Sequence, residues 1–262
     1  MSERITYSSY LGLDDVLRAQ RPLSAHHDEL LFIVLHQTKE LWFKEIIHEL
    51  ALAKAEVRAG ALVPAYKILA RVSRIQAVLT LSWDVLATLT PTDYLSFRGV
   101  LGSSSGFQSP QFRTVEYMLG LKDPSFLRFH EETPEAHADL RAALEAPSLY
   151  DDALEQLERA GLLAAPPVPR DYTATYAPSA EVENAWLTVY SDTQRWWELY
   201  QLAEKLVDLE DALLTWRHKH VITVERIIGR RRGTGGTEGV GYLESTLKRR
   251  CFPELWSVRT RL

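Results

Sequence analysis

Histidine is the residue type in this 262-residue chain most able to do chemistry near neutral pH, and there are eight of them. Their spacing limits what each can do. Glu45-x-x-His48 matches one half of a carboxylate-bridged di-iron site, but that site needs a second such pair and the chain has none, so the reading is a surface pair. His26 and His27 stand together at a helix entry, with Asp28 placing negative charge in the first turn. His218 and His220 are two apart on an expected helix, roughly 200° around its axis, so they cannot both face one site. One of them could be a single axial ligand; both could be ordinary polar-face residues. His36 sits in LFIVLHQTKELWF on the face shared with Phe32 and Phe43. A histidine on an apolar face is commonly a hydrogen-bonded core residue. A His and a Phe four residues apart could also line a pocket for a planar ligand, and spacing alone leaves the two open.

The other chemical candidate is the glycine-rich stretch RRRGTGGTEGVGYL, residues 230–243. It is not a P-loop, because no G-x-x-x-x-G-K-[ST] string occurs. It is not a dinucleotide fingerprint, because Glu238 stands where the third glycine belongs and a helix, not a strand, precedes it. The remaining readings are a mobile flap that orders over a ligand, carried by Gly233-Thr234-Gly235-Gly236, or a helix C-cap at Gly229 followed by a loose connector.

These residues need a scaffold, and its pattern is helical. Residues 26–57 carry apolar side chains at three-, four- and seven-residue intervals without Gly or Pro. A second helix is expected over 62–89, with Pro64 in its first turn. A third is expected to be capped by Pro91, Thr92 and Asp93 and to start at Tyr94. Further helices are expected over 111–121, 135–145 and 148–160, followed by the loop APPVPRDYTATYAP. From Ser179 to Ile228 the pattern again runs without Gly or Pro, too long for one globular helix, so a break or a pair is expected. Strand runs are absent. The expected fold is all-α, a helix bundle in a single domain over 1–262.

Composition narrows the class. Hydrophobic residues make up 46%, enough for a sizeable core, and the net charge is −5. Eleven of the thirty Lys and Arg lie from Arg217 onward. Without aromatic interleaving or a recognised module this bias reads as a solvated helix end, not a nucleic-acid arm. The lone Cys251 excludes an internal disulfide. MSERITYSSY has no apolar h-region and no window is apolar enough to span a bilayer, so a soluble, cytoplasmic protein is expected.

Five strings, in chain order, carry a resemblance. TYSSYLGLDDVL, HHDELLFIVLHQTKELWFKEIIHEL, FRGVLGSSSGFQSPQFRTVEYMLG, WRHKHVITVERIIGRRRGTGGTEGVGYL and FPELWSVRTRL together resemble the tryptophan 2,3-dioxygenases, most weakly between 122 and 180. The resemblance implies an all-α homotetramer with one haem b per subunit. It implies insertion of both atoms of O₂ across the C2–C3 bond of the L-tryptophan indole, giving N-formyl-L-kynurenine, the first step of the kynurenine pathway. It implies His220, four residues after the Trp of W-R-x-x-H, as axial haem ligand, and His36 as the distal histidine that hydrogen-bonds the indole N–H. Phe32 would line the same pocket, and Trp83 would lie near the haem. Tyr94 and Arg98, in Y-x-x-F-R, would meet the substrate carboxylate, Arg98 in a bidentate contact. Ser105 and Gly106 would flank haem and substrate. Thr234 would hold the substrate head group. Tyr7, Tyr10 and Leu11 would reach into a neighbouring subunit's pocket. The segment between Pro22 and HHDE is shorter than in the family pattern, and RRRGTGG is more basic. A haem mono- or dioxygenase acting on a substituted tryptophan, and a non-enzymatic haem sensor, remain as alternatives.

Overall fold

A computed structural model describes residues 5–164, 170–236 and 238–262, and among them there is no strand. Two short helices, α1 (Tyr7–Leu11) and α2 (Leu13–Val16), lead into α3 (His27–Ala59) and α4 (Leu62–Leu86). Then come α5 (Pro91–Arg98), α6 (Pro110–Leu119), α7 (Pro134–Glu145), α8 (Leu149–Arg159), α9 (Ala180–Ser191), α10 (Trp197–Ile228), α11 (Val240–Thr246) and α12 (Pro253–Ser257). The central layer is α3 against α4 and α4 against α10.

α3 ends at Gly60, whose φ of +78° lets its N–H reach the Glu56 and Val57 carbonyls. Only Gly60 and Ala61 separate α3 from α4, so the two helices fold back on each other. Leu50, Ala53 and Val57 of α3, Ala65 and Leu69 of α4, and Leu202, Leu206 and Leu209 of α10 are fully buried together. Each such leucine contributes on the order of 2 kcal/mol by leaving water.

The structure moves the start of the third expected helix and supplies the break expected in the long C-terminal pattern. α5 starts at Pro91, three residues before Tyr94, because Thr90 is the cap: its hydroxyl accepts from the Asp93 N–H while the Asp93 carboxylate accepts from the Thr90 N–H. Pro91 is the first helical residue, where its fixed φ suits the helix and its missing N–H costs nothing. The long pattern from Ser179 breaks at residues 192–196, where the Asp192 carboxylate accepts the Arg195 N–H and its carbonyl the Trp196 N–H. Part of the loop expected over APPVPRDYTATYAP, residues 165–169, lies outside the described residues.

Two buried carboxylates lock the C-terminal segment in place. Glu210 of α10 accepts the backbone N–H groups of Cys251 and Phe252 at 2.5 and 3.0 Å and the Trp256 indole N–H at 2.7 Å. Glu254 of α12 accepts the Tyr150 and Tyr176 hydroxyls at 2.8 and 2.6 Å and the Ser179 N–H at 2.8 Å.

Candidate active site

The N-terminal half of α3, the C-terminal half of α4, α5, the 104–109 turn, α6, the C-terminal half of α10, the glycine loop and α11 enclose a mostly apolar cavity of about 210 Å³. Both histidines singled out by the sequence line it, His36 from α3 and His220 from α10. Each turns part of its ring toward the cavity and is otherwise walled in by protein. His218, two residues from His220, is exposed, as the helical spacing requires. His48 is exposed too.

Burial, with the Lys39 ammonium adding to it, holds the His36 imidazole down to about 4. Burial, then Lys39 and His36, holds His220 down to about 3. Both rings are therefore neutral at pH 7, the form that binds a metal or accepts a proton. His36 Nδ1 lies 2.7 Å from the Phe32 carbonyl oxygen. A carbonyl only accepts, so Nδ1 carries the hydrogen and Nε2 of the neutral ring is left as an acceptor. The Phe32 ring packs on His36 at 4.2 Å between centroids, with Tyr94 and Phe97 behind it. On the α10 side, His220 stacks on Trp83 at 4.3 Å and 14°, and Trp216 lies 5.3 Å away.

Beneath these rings lies a buried ion network that the sequence reading missed. Glu116 of α6 accepts from Arg113 on its own helix and from Arg217 of α10 at 2.5 Å, and Arg217 also donates to the Thr246 carbonyl at 3.1 Å. This network joins α6, α10 and α11 at the cavity wall. Lys39, one turn after His36, also lines the cavity and is 4% exposed. The available signal was its place three residues after His36, but a lysine in a helix usually reads as a solvent-facing residue.

Ser105, Gly106, Tyr94 and Thr234 line the cavity, as does Trp83. Arg98 does not. It borders an adjoining recess with Thr234, beside Tyr94, and donates to the Arg232 carbonyl at 2.6 Å. The glycine segment lies down on the cavity edge. Thr234 donates to the Ser104 carbonyl at 2.5 Å, and Gly235 passes so near Ser105 that a Cβ there would sit 2.8 Å from the serine Cβ. Gly229 ends α10 with a φ of +62°, so the C-cap reading holds. Arg230 is paired with Glu225 and Glu244 on the surface, and Arg231 and Arg232 are exposed. Tyr7, Tyr10 and Leu11 are 76%, 79% and 42% exposed and do not line this chain's cavity.

An iron porphyrin needs a neutral imidazole for the metal, a flat apolar slot, and hydrogen-bond donors for its carboxylates. The two imidazoles supply the first and the aromatic and aliphatic walls the second. For the third, Lys39 Nζ, Trp83 Nε1, Trp216 Nε1 and the Tyr242 hydroxyl are all buried at this cavity without a hydrogen-bond partner. These residues fit the group.

Fold and site together define, among the described residues, an all-α protein with a largely apolar pocket lined by two neutral histidines. The tryptophan 2,3-dioxygenase family model matches residues 1–188 and 175–262, the 122–180 stretch included, and the chain belongs to that family. It is 68% identical over 263 residues to a tryptophan 2,3-dioxygenase of Caulobacter vibrioides, covering 100% of both chains. It is 54% identical over 261 residues to one of Bacillus cereus, covering 99% of this chain and 94% of the relative. One of Bordetella parapertussis is 54% identical over 259 residues, with 98% and 91% covered.

Proposed function

We propose that this chain is a haem-dependent dioxygenase that inserts both atoms of O₂ across the C2–C3 bond of the L-tryptophan indole, yielding N-formyl-L-kynurenine. The observation that carries the reading is the pair of neutral imidazoles, His36 and His220, lining one apolar pocket in a chain of this family. His220 holds the iron of haem b, and its neutral ring binds without first losing a proton. The haem, when bound, supplies the iron at which O₂ is activated.

The protein's own work is to bind, orient and exclude water. His36 Nε2 is the acceptor for the indole N–H, and its Nδ1 bond to Phe32 fixes both tautomer and ring plane. Phe32 and Tyr94 wall the indole on the same side. Arg98 takes the substrate carboxylate with its planar fork, and its Nε stands without a partner in this structure. Thr234 meets the amino-acid head group, and the loop that carries it keeps bulk water from the site. Because both oxygen atoms enter the product, no external reductant is consumed.

The active assembly is a homotetramer in the cytoplasm. The apolar side chains that α1 leaves exposed support the reading that Tyr7, Tyr10 and Leu11 complete a neighbour's pocket. Among the described residues no helix is long and apolar enough to cross a membrane.

The test is a product mass. The haem-loaded, reduced protein is given L-tryptophan in ¹⁸O₂. Two labelled oxygens in the product are expected; one labelled oxygen, or no product from haem-loaded protein, overturns the reading.

A further inference from the structure

Among the described residues, Lys39 is the one buried cation at the pocket that no acid answers. Its Nζ has no hydrogen-bond partner and stands 3.0 Å over the Trp83 ring, itself stacked on His220. The carboxylates that line the same pocket are committed elsewhere. Glu116 is held by Arg113 and Arg217, and the Glu40 carboxylate accepts the Gln111 amide at 2.9 Å. Taking an ammonium out of water costs more than one aromatic face returns, so Lys39 is a poor choice for the pocket by itself. A methionine or leucine of similar volume would pack there without penalty. Burial also pushes the lysine well below its ordinary range.

The position makes sense if an anion enters the pocket. Among the described residues, two cationic groups at the site are not held by an acid, and they are separate. Arg98 borders the recess outside the pocket and does not line the pocket; Lys39 lines the pocket and does not border the recess. Tryptophan carries one carboxylate, which Arg98 takes in the function proposed above. Haem carries two propionates and has no other lysine waiting for it among the described pocket residues.

We propose that Lys39 is a carboxylate anchor inside the pocket that pairs with a propionate of the bound haem. The proposal rests on the haem-dioxygenase reading. It makes Lys39 a determinant of cofactor retention, acting from the same helix that presents His36 to the substrate. Arginine, with a longer and planar head, is a partial substitute; methionine removes the interaction and keeps the volume.

The experiment titrates the full chain, prepared without haem, with iron protoporphyrin IX and separately with its dimethyl ester, following the Soret band. Wild type, Lys39→Met, Lys39→Gln and Lys39→Arg are compared, and each haem-free protein is melted. Lys39→Met and Lys39→Gln are expected to weaken the free diacid about tenfold or more and to leave the diester within about twofold. Lys39→Met is also expected to raise the melting temperature of the haem-free chain, since it removes a buried amine that no protein atom satisfies. Equal loss for diacid and diester in both neutral variants means Lys39 only packs, and overturns the proposal. Unchanged diacid affinity also overturns it. Unchanged diacid affinity with a raised KM for tryptophan assigns Lys39 to the substrate carboxylate instead. If wild type binds neither porphyrin, the haem reading itself fails and the Lys39 proposal goes with it; if wild type binds and the variants do not differ, only the Lys39 proposal fails.

Discussion

Thr234 donates its hydroxyl hydrogen to the carbonyl of Ser104 at 2.5 Å, joining the glycine loop after α10 to the serine turn before α6. The bond closes the loop over the cavity edge and places the hydroxyl where Arg98 and the recess meet. In Thr234→Ala the latch is lost, and with it the proposed head-group contact. KM for tryptophan is expected to rise about tenfold or more, the cost of one hydrogen bond to a charged group, while Thr234→Ser keeps most of the affinity. Unchanged KM and kcat in the alanine variant would remove Thr234 from the site.

Gly239 tests the same loop from its far end. Its φ is +62°, and a Cβ there would fall 2.3 Å from the Arg231 carbonyl oxygen. Gly239→Ala must therefore push residues 231–233 away. The expected result is faster trypsin cleavage in the arginine run, with the melting temperature of the bundle almost unchanged. Cleavage at the wild-type rate would show that the loop does not depend on this contact.

The two histidines are expected to separate cleanly. His220→Ala should abolish haem retention, read as loss of the Soret band on a desalting column. His36→Ala should keep the band and lower kcat/KM about tenfold to a hundredfold, since it removes an orienting acceptor and not the ligand. A normal haem spectrum in His220→Ala would contradict the assignment.

Acid stability follows from His36. Folded, the ring takes a proton only at about pH 4; unfolded, it does so near 6.5. Between those values the unfolded chain holds more protons, so stability falls as pH falls through that window and levels off below it. The effect is at most about 3 kcal/mol at pH 4. His36→Gln should lose this share of the slope, measured by denaturant unfolding of the haem-free protein at pH 7, 5.5 and 4. Parallel curves for the two proteins would mean the ring is not held neutral.

Glu116 is where a single substitution is expected to damage the fold most. Arg113 and Arg217 are 4% and 3% exposed, and both depend on its carboxylate. Glu116→Gln leaves two buried guanidinium groups with no counter-charge, at a cost of about 3–5 kcal/mol in denaturant unfolding. A loss below about 1 kcal/mol would mean that water reaches the arginines.

The long helices were legible because α3, α4 and α10 repeat apolar residues at helical spacing over many turns, and tertiary packing agrees with that local pattern. Boundaries were less so. The cap of α5 was placed late because Pro91 looks like part of a turn, whereas Thr90-x-x-Asp93 is the capping pair. The break at 192–196 carries no Gly or Pro, and an aspartate side chain makes it. In the site, the helix-axis argument separated His220 from His218, but spacing could not say whether His36 served a core or a pocket. Nor could it show that Arg98 and Lys39 occupy different compartments, because residues distant in sequence enclose each one. Glu116 was missed for a related reason: its meaning comes from Arg217, on another helix.

His36 comes early in the chain, while His220, the latch loop and α11 come last. A ribosome makes proteins from the N-terminus, and early segments can begin to fold before later ones exist. Here α3 and α4 can pair while the chain is still growing, and α5 and α6 follow, but the wall that carries His220 is missing until α10 emerges and packs against α4. In the proposed function, cofactor capture is therefore a closing event of biosynthesis. A nascent chain stalled before its last helices would display the apolar face of α4 that α10 covers, so chaperone demand should peak at the end of translation.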